Sequence, residues 1–139
     1  MPYDELMNQR LQEVILGRLA TVDPRTLQPH LTIVWYLWDG ESAWISAFAS
    51  TRKVKELIKN PRAALLIDQS QGGETEWAYL LEGEVELIAG PGEDFERRVT
   101  DVYRRYLGAE GALAAQPQSW VKDAENRLAR LRPEKVYKW

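Results

Sequence analysis

Residues 42–68, SAWISAFASTRKVKELIKNPRAALLID, constrain the fold more than any other part of this chain. An apolar run, Ala43–Phe48, predicts a strand. A small polar turn follows, Ala49-Ser50-Thr51, and then a short amphipathic helix over Arg52–Lys59. Asn60-Pro61 stops that helix, because proline cannot continue it. A second apolar strand runs from Arg62 to Asp68, with Ala63–Ile67 wholly apolar. Ser50 or Thr51 suits the N-cap, where a hydroxyl accepts from the orphan N–H groups of the first turn. The next two residues break a rule. Arg52 and Lys53 are cations at the end where the helix dipole favours anions, a conflict of roughly 0.3–1 kcal/mol each. No acid stands in that turn. Either both side chains bend into solvent, or an anion sits there. Free N–H groups, a hydroxyl and two cations at a helix start match what a phosphate needs.

Composition narrows the class. A chain of 139 residues is expected to form one domain with a reasonable core, and 45% apolar content with six Trp and six Tyr argues against disorder. The net charge of −3 excludes general nucleic-acid affinity, which needs a broad basic face. With no cysteine there is no disulfide, thiol nucleophile or cysteine-based zinc site. The start, MPYDELMNQR, lacks the apolar core of a signal peptide, and no run reaches the roughly 18–20 apolar residues of a membrane span. The expectation is a soluble cytoplasmic protein without membrane partners.

Around the central stretch, residues 3–13 read as a helix, with Met7 and Leu11 at helical spacing. Val14–Val22 reads as a strand entering the core, Asp23-Pro24-Arg25-Thr26 as a turn, and Gln28–Trp38 as the returning strand. That strand is apolar or aromatic at both alternations: Leu31, Ile33, Trp35 and Leu37 on one, Thr32, Val34, Tyr36 and Trp38 on the other. Both faces are therefore expected to be covered, one by the core and one by a partner subunit, a ligand or both. Asp39-Gly40 makes the next hairpin turn. Gln69–Glu76 reads as a flexible polar loop, and Trp77–Ile88 as a long strand with a bend at Gly83. Glu82, Glu84 and Glu86 give it one solvated acidic face. Ala89–Gly92 is a turn. Glu93–Leu107 is an amphipathic helix with Phe95, Val99, Val102, Tyr103 and Tyr106 on one stripe, ended by Gly108. Ala109–Ser119 is small, Ala-rich and reads as irregular, with a weak helical turn as the alternative. Arg127–Leu131 and Lys135–Tyr137 read as a closing strand around Pro133. The terminal Trp139 is expected to dock on the body or on another subunit.

Several chemistries are missing. His30, the one histidine, cannot build a metal site alone and has no identifiable serine for a hydrolytic triad, so a structural role is expected. No GxGxxG or Walker pattern occurs.

The ordered set of segments resembles the flavin-binding split β-barrels, the pyridoxamine 5′-phosphate oxidase-like proteins and their deazaflavin relatives. The resemblance rests on Gly17–Val22, Pro29–Gly40, the Ser50-Thr51-Arg52-Lys53 turn with its Asn60-Pro61-Arg62 stop, Leu81–Val85, Arg105–Gly108 and Arg132–Val136. It implies a mainly β fold, an antiparallel split β-barrel of roughly six strands with flanking helices, forming a homodimer. It implies a phosphate held by Thr51, Arg52 and Lys53, a flavin ring along Val34, Trp35 and Tyr36, and cofactor contacts at Ser46, Ala47 and the C-terminal aromatic Trp139. FMN is the implied cofactor, with a deazaflavin as the alternative, and oxidoreduction of a small-molecule substrate the implied activity. A non-catalytic flavin store and a ligand-free dimeric module are kept beside it. The redox chemistry in such a fold belongs to the cofactor, so no catalytic residue is named. In pyridoxamine-phosphate oxidases the second strand begins with Arg and ends with Lys. Leu31 and Tyr36 stand there in this chain, and the C-terminal basic motif of those enzymes is missing. Vitamin B6 oxidation is therefore not part of the implied activity.

Overall fold

The computed structural model describes residues 4–139. Its elements, in order, are α1 (Glu5–Leu11), β1 (Gly17–Val22), β2 (Pro29–Val34), β3 (Leu37–Trp38), β4 (Ala43–Phe48), α2 (Arg52–Lys59), β5 (Arg62–Gln71), β6 (Glu74–Ala89), α3 (Glu93–Ala112), α4 (Ala115–Val121), β7 (Asn126–Leu131) and β8 (Lys135–Lys138). The sequence placed the start of the first helix at Tyr3, which lies outside the described residues. Asp4 caps α1 by accepting from the Met7 N–H at 2.7 Å, and Met7 and Leu11 turn into the core.

Every strand pairing is antiparallel. The order across the sheet is β2-β1-β5-β6-β7-β4-β3, with β8 also on β6. The sheet curls without closing, as a split barrel does. The split lies on β6. Its early part pairs with β8 from Tyr79 to Glu82, and its late part with β7 from Val85 to Ala89. Gly83 marks the change of partner. A Cβ there would lie 2.8 Å from the Arg132 carbonyl oxygen and 3.2 Å from the Glu134 nitrogen, so only glycine lets the β7–β8 connection cross so closely. The expected bend at Gly83 has this physical origin.

Eight strands stand where about six were expected, because two sequence runs are each broken in the middle. The run Gln28–Trp38 breaks at Trp35-Tyr36. There the backbone N–H and C=O of Tyr36 turn to the Tyr106 hydroxyl rather than to a strand, at 3.2 Å each. The closing run breaks at Pro133, which has no N–H to give a ladder. Two further expectations are corrected. Gln69–Glu76 is a tight hairpin and not a loop: β5 and β6 continue to Gln71 and Glu74, and Gly72 at φ 62° makes the turn. Ala109–Ser119 is mostly helical. Gly108 (φ 78°, ψ 171°) leaves the helical conformation, so the amphipathic helix ends there as expected; a second helical segment continues α3 to Ala112, and α4 follows after a short break. Alanine's high helix propensity, with Ala112, Pro117 and Val121 buried, accounts for this.

Two apolar clusters result. One fills the barrel with Leu19, Tyr36, Trp38, Ile45, Leu65, Ile67, Leu81 and Leu131, closed at its ends by Met7 and Leu11 of α1 and by Leu57 of α2. The other lies between the outer face of β4–β7 and the helices α3 and α4, around Trp44, Phe95, Val99, Val102, Tyr103 and Leu128. Arg105 ties α3 to α1, donating to the carbonyls of Gln12 and Glu13 at 3.1 and 2.9 Å. On the edge strand β2 the outward residues Leu31 and Ile33 are each 65% exposed in the protomer. Among the described residues no helix is long and apolar enough to cross a membrane.

Candidate functional site

The helix α2 plugs one end of the barrel because Val54 and Leu57 are buried there. Its start is set by Thr51, which has the extended backbone of an N-cap. The hydroxyl does not cap. It donates back to the Phe48 carbonyl at 2.7 Å, and no side chain satisfies the first-turn N–H groups. The turn is thus held from behind by β4, while its N–H groups point outward with the positive end of the dipole.

The two cations that follow have different surroundings. Arg52 is 53% exposed, and its Nε donates to Glu56 Oε2 at 3.0 Å, one turn along the helix. The sequence reading found no acid in the first turn, and that holds. It missed that the acid one turn later engages Arg52. Glu56 is only 6% exposed. Its other oxygen accepts from Thr21 Oγ1 of β1 at 2.7 Å and lies 3.3 Å from His30 Nδ1 of β2. Burial works against the Glu56 charge. The hydrogen bonds from Thr21 and Arg52 and the Arg52 charge outweigh it, and the carboxyl ends below the usual carboxylate range. His30 Nδ1 is buried without a hydrogen-bond partner. The structural role expected for His30 is therefore an incomplete one.

Lys53 is half-buried with no acidic partner among the described residues, and burial alone depresses its ammonium pKa. A cation losing water without gaining a counter-charge is the least settled group of the corner. Along the Arg52–Glu56 face of the same helix a hollow of about 390 Å³ is lined by Asp23, Ser50, Arg52, Lys55, Glu56 and Lys59, and Lys53 is not part of that lining. Three of its six lining residues are cationic. The corner as a whole offers first-turn N–H groups and, among the described residues, a cation without an acidic partner to an anion arriving from solvent; the Thr51 hydroxyl, whose proton goes to the Phe48 carbonyl, is not free to donate to it.

The structure brings Thr51, Arg52 and Lys53 into one turn, with Ala47 and Ser46 just behind it in β4. Ala47 is buried. The Ser46 hydroxyl faces α3 and is engaged by Tyr103 Oη and Asn126 Oδ1, each at 2.9 Å. Val34, Trp35 and Tyr36 lie at the far end of β2. Val34 pairs with Gly17, whereas Thr21, which anchors Glu56, pairs with His30. Four residues of strand, about 13 Å, separate the two ends. The Val34 and Tyr36 side chains are buried in the barrel, and the Tyr36 hydroxyl donates to the Leu11 carbonyl at 2.9 Å. Trp35 stacks on Tyr106 with centroids 4.9 Å apart and planes 6° off parallel. Trp139 is not brought to this corner within the protomer. Its backbone pairs with Ala78 at 2.8 and 3.1 Å, while its ring is 65% exposed. Ala78 is four residues along β6 from Glu82, which is the position level with Ala20 across β5. Glu56 is the site residue that the sequence reading missed. Its signal was the four-residue spacing from Arg52.

Known proteins agree with this architecture. A conserved hypothetical protein of Mycobacterium tuberculosis is similar at 25% identity and a TM-score of 0.80, over 100% of this chain and 85% of that one. An F420 reductase superposes at 21% identity and a TM-score of 0.73, over 94% of each chain. The heme storage protein HutZ of Vibrio cholerae superposes at 15% identity and 0.77, over 99% of this chain and 94% of that one. These last two likenesses show the fold alone. No functionally curated protein matches the sequence. The family described as pyridoxamine 5′-phosphate oxidase matches residues 3–139. That match spans both halves of the split sheet and the α2 corner between them, and by it the chain belongs to the pyridoxamine 5′-phosphate oxidase family, whose members bind flavins.

Proposed function

We propose that the protein binds a phosphate-bearing flavin, FMN, as a homodimer and uses it in the oxidoreduction of a small molecule. Lys53 carries the reading: a half-buried cation with no counter-charge among the described residues, at a helix start that none of their side chains caps. A phosphate there accepts from the first-turn N–H groups and supplies the missing charge. The span of about 13 Å along β2 from His30, beside Glu56 of the same helix, to Val34 is of the length that a ribityl chain between ring and phosphate bridges. When bound, the flavin supplies the hydride or electron chemistry. The chain's own residues hold and orient it, and Leu31 and Tyr36 stand where a vitamin B6 oxidase carries its Arg and Lys, so that substrate is not the one proposed. A deazaflavin is the second reading, favoured by the similarity to an F420 reductase. Dimerisation is supported by the outer face of the sheet. Ile33, Leu66, Leu80 and Tyr137 of β2, β5, β6 and β8 are level, with Leu31 beside them; Arg18 of β1, paired with Asp68, crosses the row between Ile33 and Leu66, and the rest is an apolar surface of the kind that a second copy covers.

The test is titration of the purified protein with FMN and with the deazaflavin, followed by absorbance, with molar mass read in solution. FMN binding by a dimer is expected. In the Arg52→Ala, Lys53→Ala double variant the affinity should fall by about 2–3 kcal/mol while the fold survives. Charge-assisted hydrogen bonds contribute roughly 1.5–3 kcal/mol each, and the share of Arg52 is reduced by its exposure and its bond to Glu56. Unchanged affinity in that variant removes the phosphate assignment. Preference for the deazaflavin moves the cofactor to the second reading. Oxidation of a reduced nicotinamide on added FMN separates an enzyme from a store.

A further inference from the structure

The α2 corner contains one buried charge that a phosphate site does not itself require. Glu56 joins three elements: its own helix through Arg52 Nε, β1 through Thr21 Oγ1, and β2 through the 3.3 Å approach of His30 Nδ1. The Thr21 and Arg52 contacts are hydrogen bonds. The His30 contact is not, and Nδ1 has no other partner. A buried carboxylate is tolerated only while it is paired, and removing one partner of such a pair leaves a charge that the interior does not accept. Arg52 is that partner, and Arg52 is also one of the two cations that a guest phosphate recruits. The same guanidinium is thus claimed from two sides, by an internal anion and by an external one.

One group in the surroundings can take over the pairing of Glu56. The charged group against His30 is Glu56 of α2, with Arg52 on the other carboxylate oxygen; Asp23, Lys55 and Lys59 line the hollow beside Glu56, and Arg25 pairs with Asp23 in the β1–β2 turn. Its neighbours Thr21 on β1 and Thr32 on β2 carry no charge. A proton on Nδ1 makes the 3.3 Å approach an ion pair, and a rotation of the ring that brings its N–H onto Oε1 completes the hydrogen bond.

We propose that Glu56 and His30 set the affinity of the anion site: Glu56 is an internal counter-anion that Arg52 gives up when a phosphate binds, and His30 takes a proton from solvent to keep Glu56 paired. The exchange balances. One Nε–H···Oε2 bond to Glu56 is lost, bonds from Arg52 to the phosphate form, one Nδ1–H···Oε1 bond forms, and one proton leaves bulk water. Phosphate binding is therefore coupled to proton uptake, and lowering the pH through the histidine range favours the bound state. The phosphate's own second ionisation acts in the opposite direction, but equally in the wild type and in a variant without His30. Both residues are positioning residues, acting through Arg52. The inference rests on the FMN reading above.

The experiment is calorimetric titration with FMN between pH 6 and 8, in two buffers of different ionisation enthalpy, on the wild type, His30→Asn and Glu56→Gln. The wild type should take up more protons per FMN than His30→Asn, by up to about one, with the excess largest where histidine titrates. Glu56→Gln keeps the Thr21 contact and frees Arg52, so its FMN affinity should rise severalfold and its proton uptake should match that of His30→Asn. A purely structural Glu56 would lower affinity or leave it unchanged. Equal proton uptake in the wild type and His30→Asn overturns the proposal, and so does weaker FMN binding by a folded Glu56→Gln. If Glu56→Gln does not fold, the His30→Asn comparison decides alone. Binding that is independent of Arg52 and Lys53 overturns the phosphate site itself, and this inference falls with it.

Discussion

Replacing Tyr106 with phenylalanine removes one oxygen and keeps the ring. That oxygen fixes the break in the second strand. It accepts from the Tyr36 N–H at 3.2 Å, and its single proton is shared between the Ile15 carbonyl at 2.8 Å and the Tyr36 carbonyl at 3.2 Å. Three backbone groups, from the α1–β1 connection and the β2–β3 break, thus converge on one hydroxyl from α3. In Tyr106→Phe the stack on Trp35 survives, since the ring is unchanged. The Tyr36 N–H and the Ile15 carbonyl lose their partner. A buried donor left unmade costs about 1–3 kcal/mol, and a net hydrogen bond about 0.5–1.5 kcal/mol. Because the site is only partly buried, water recovers some of this, and the expected loss is about 2 kcal/mol. Urea unfolding measures it, with an unchanged slope showing that the native state is as compact as before. A loss below about 0.5 kcal/mol would mean that the Tyr36 segment holds its shape without Tyr106, and the physical reason given for the divided strand would be wrong.

Gly83→Ala should destabilise the protein by roughly 2–4 kcal/mol, because its Cβ meets backbone at 2.8 Å and not a side chain that can move aside; thermal melting of the variant checks this. The Glu56 carboxyl lies below the usual carboxylate range in the folded protein, so its contribution is complete at neutral pH and is lost as the pH falls through that range. Urea unfolding from pH 7 to pH 3 should therefore show a smaller acid loss in Glu56→Gln than in the wild type. Arg105→Gln should loosen α1 from α3 by removing donors to the Gln12 and Glu13 carbonyls, and hydrogen exchange should rise first in α1.

What the sequence made legible was local. Asn60-Pro61 and the Thr51 turn mark both ends of α2, and the alternation of β4 and the apolar run of β5 flank it, so this unit was placed almost to the residue. The direction of the Thr51 hydroxyl was not legible, because its choice of the Phe48 carbonyl over the helix N–H groups depends on how β4 enters the turn. Glu56 carried only one sequence signal, its four-residue spacing from Arg52, which was passed over. Its burial depends on Thr21 and His30, which reach it only because β1 and β2 pair in that register. The breaks at Trp35-Tyr36 and Pro133 divided runs that read as continuous. The first is caused by a tyrosine seventy positions away in the chain. The Gly72-Gly73 hairpin was legible in principle, since two glycines between polar strands are a turn signal, but high polarity made the segment read as a loop. Contacts at Val34–Tyr36 and Trp139 followed from family likeness and not from local pattern, and the protomer keeps Trp139 away from the α2 corner.

The phosphate corner is tested most directly by comparing FMN with riboflavin, which has the same ring and no phosphate, in the wild type and in Lys53→Ala. If Lys53 and the uncapped turn hold the phosphate, the wild type should prefer FMN by about two orders of magnitude, as one or two charge-assisted bonds supply, and Lys53→Ala should lose most of that preference while its riboflavin affinity stays the same. Equal affinity of the wild type for the two ligands, or a preference that Lys53→Ala leaves untouched, would show that no phosphate is held there.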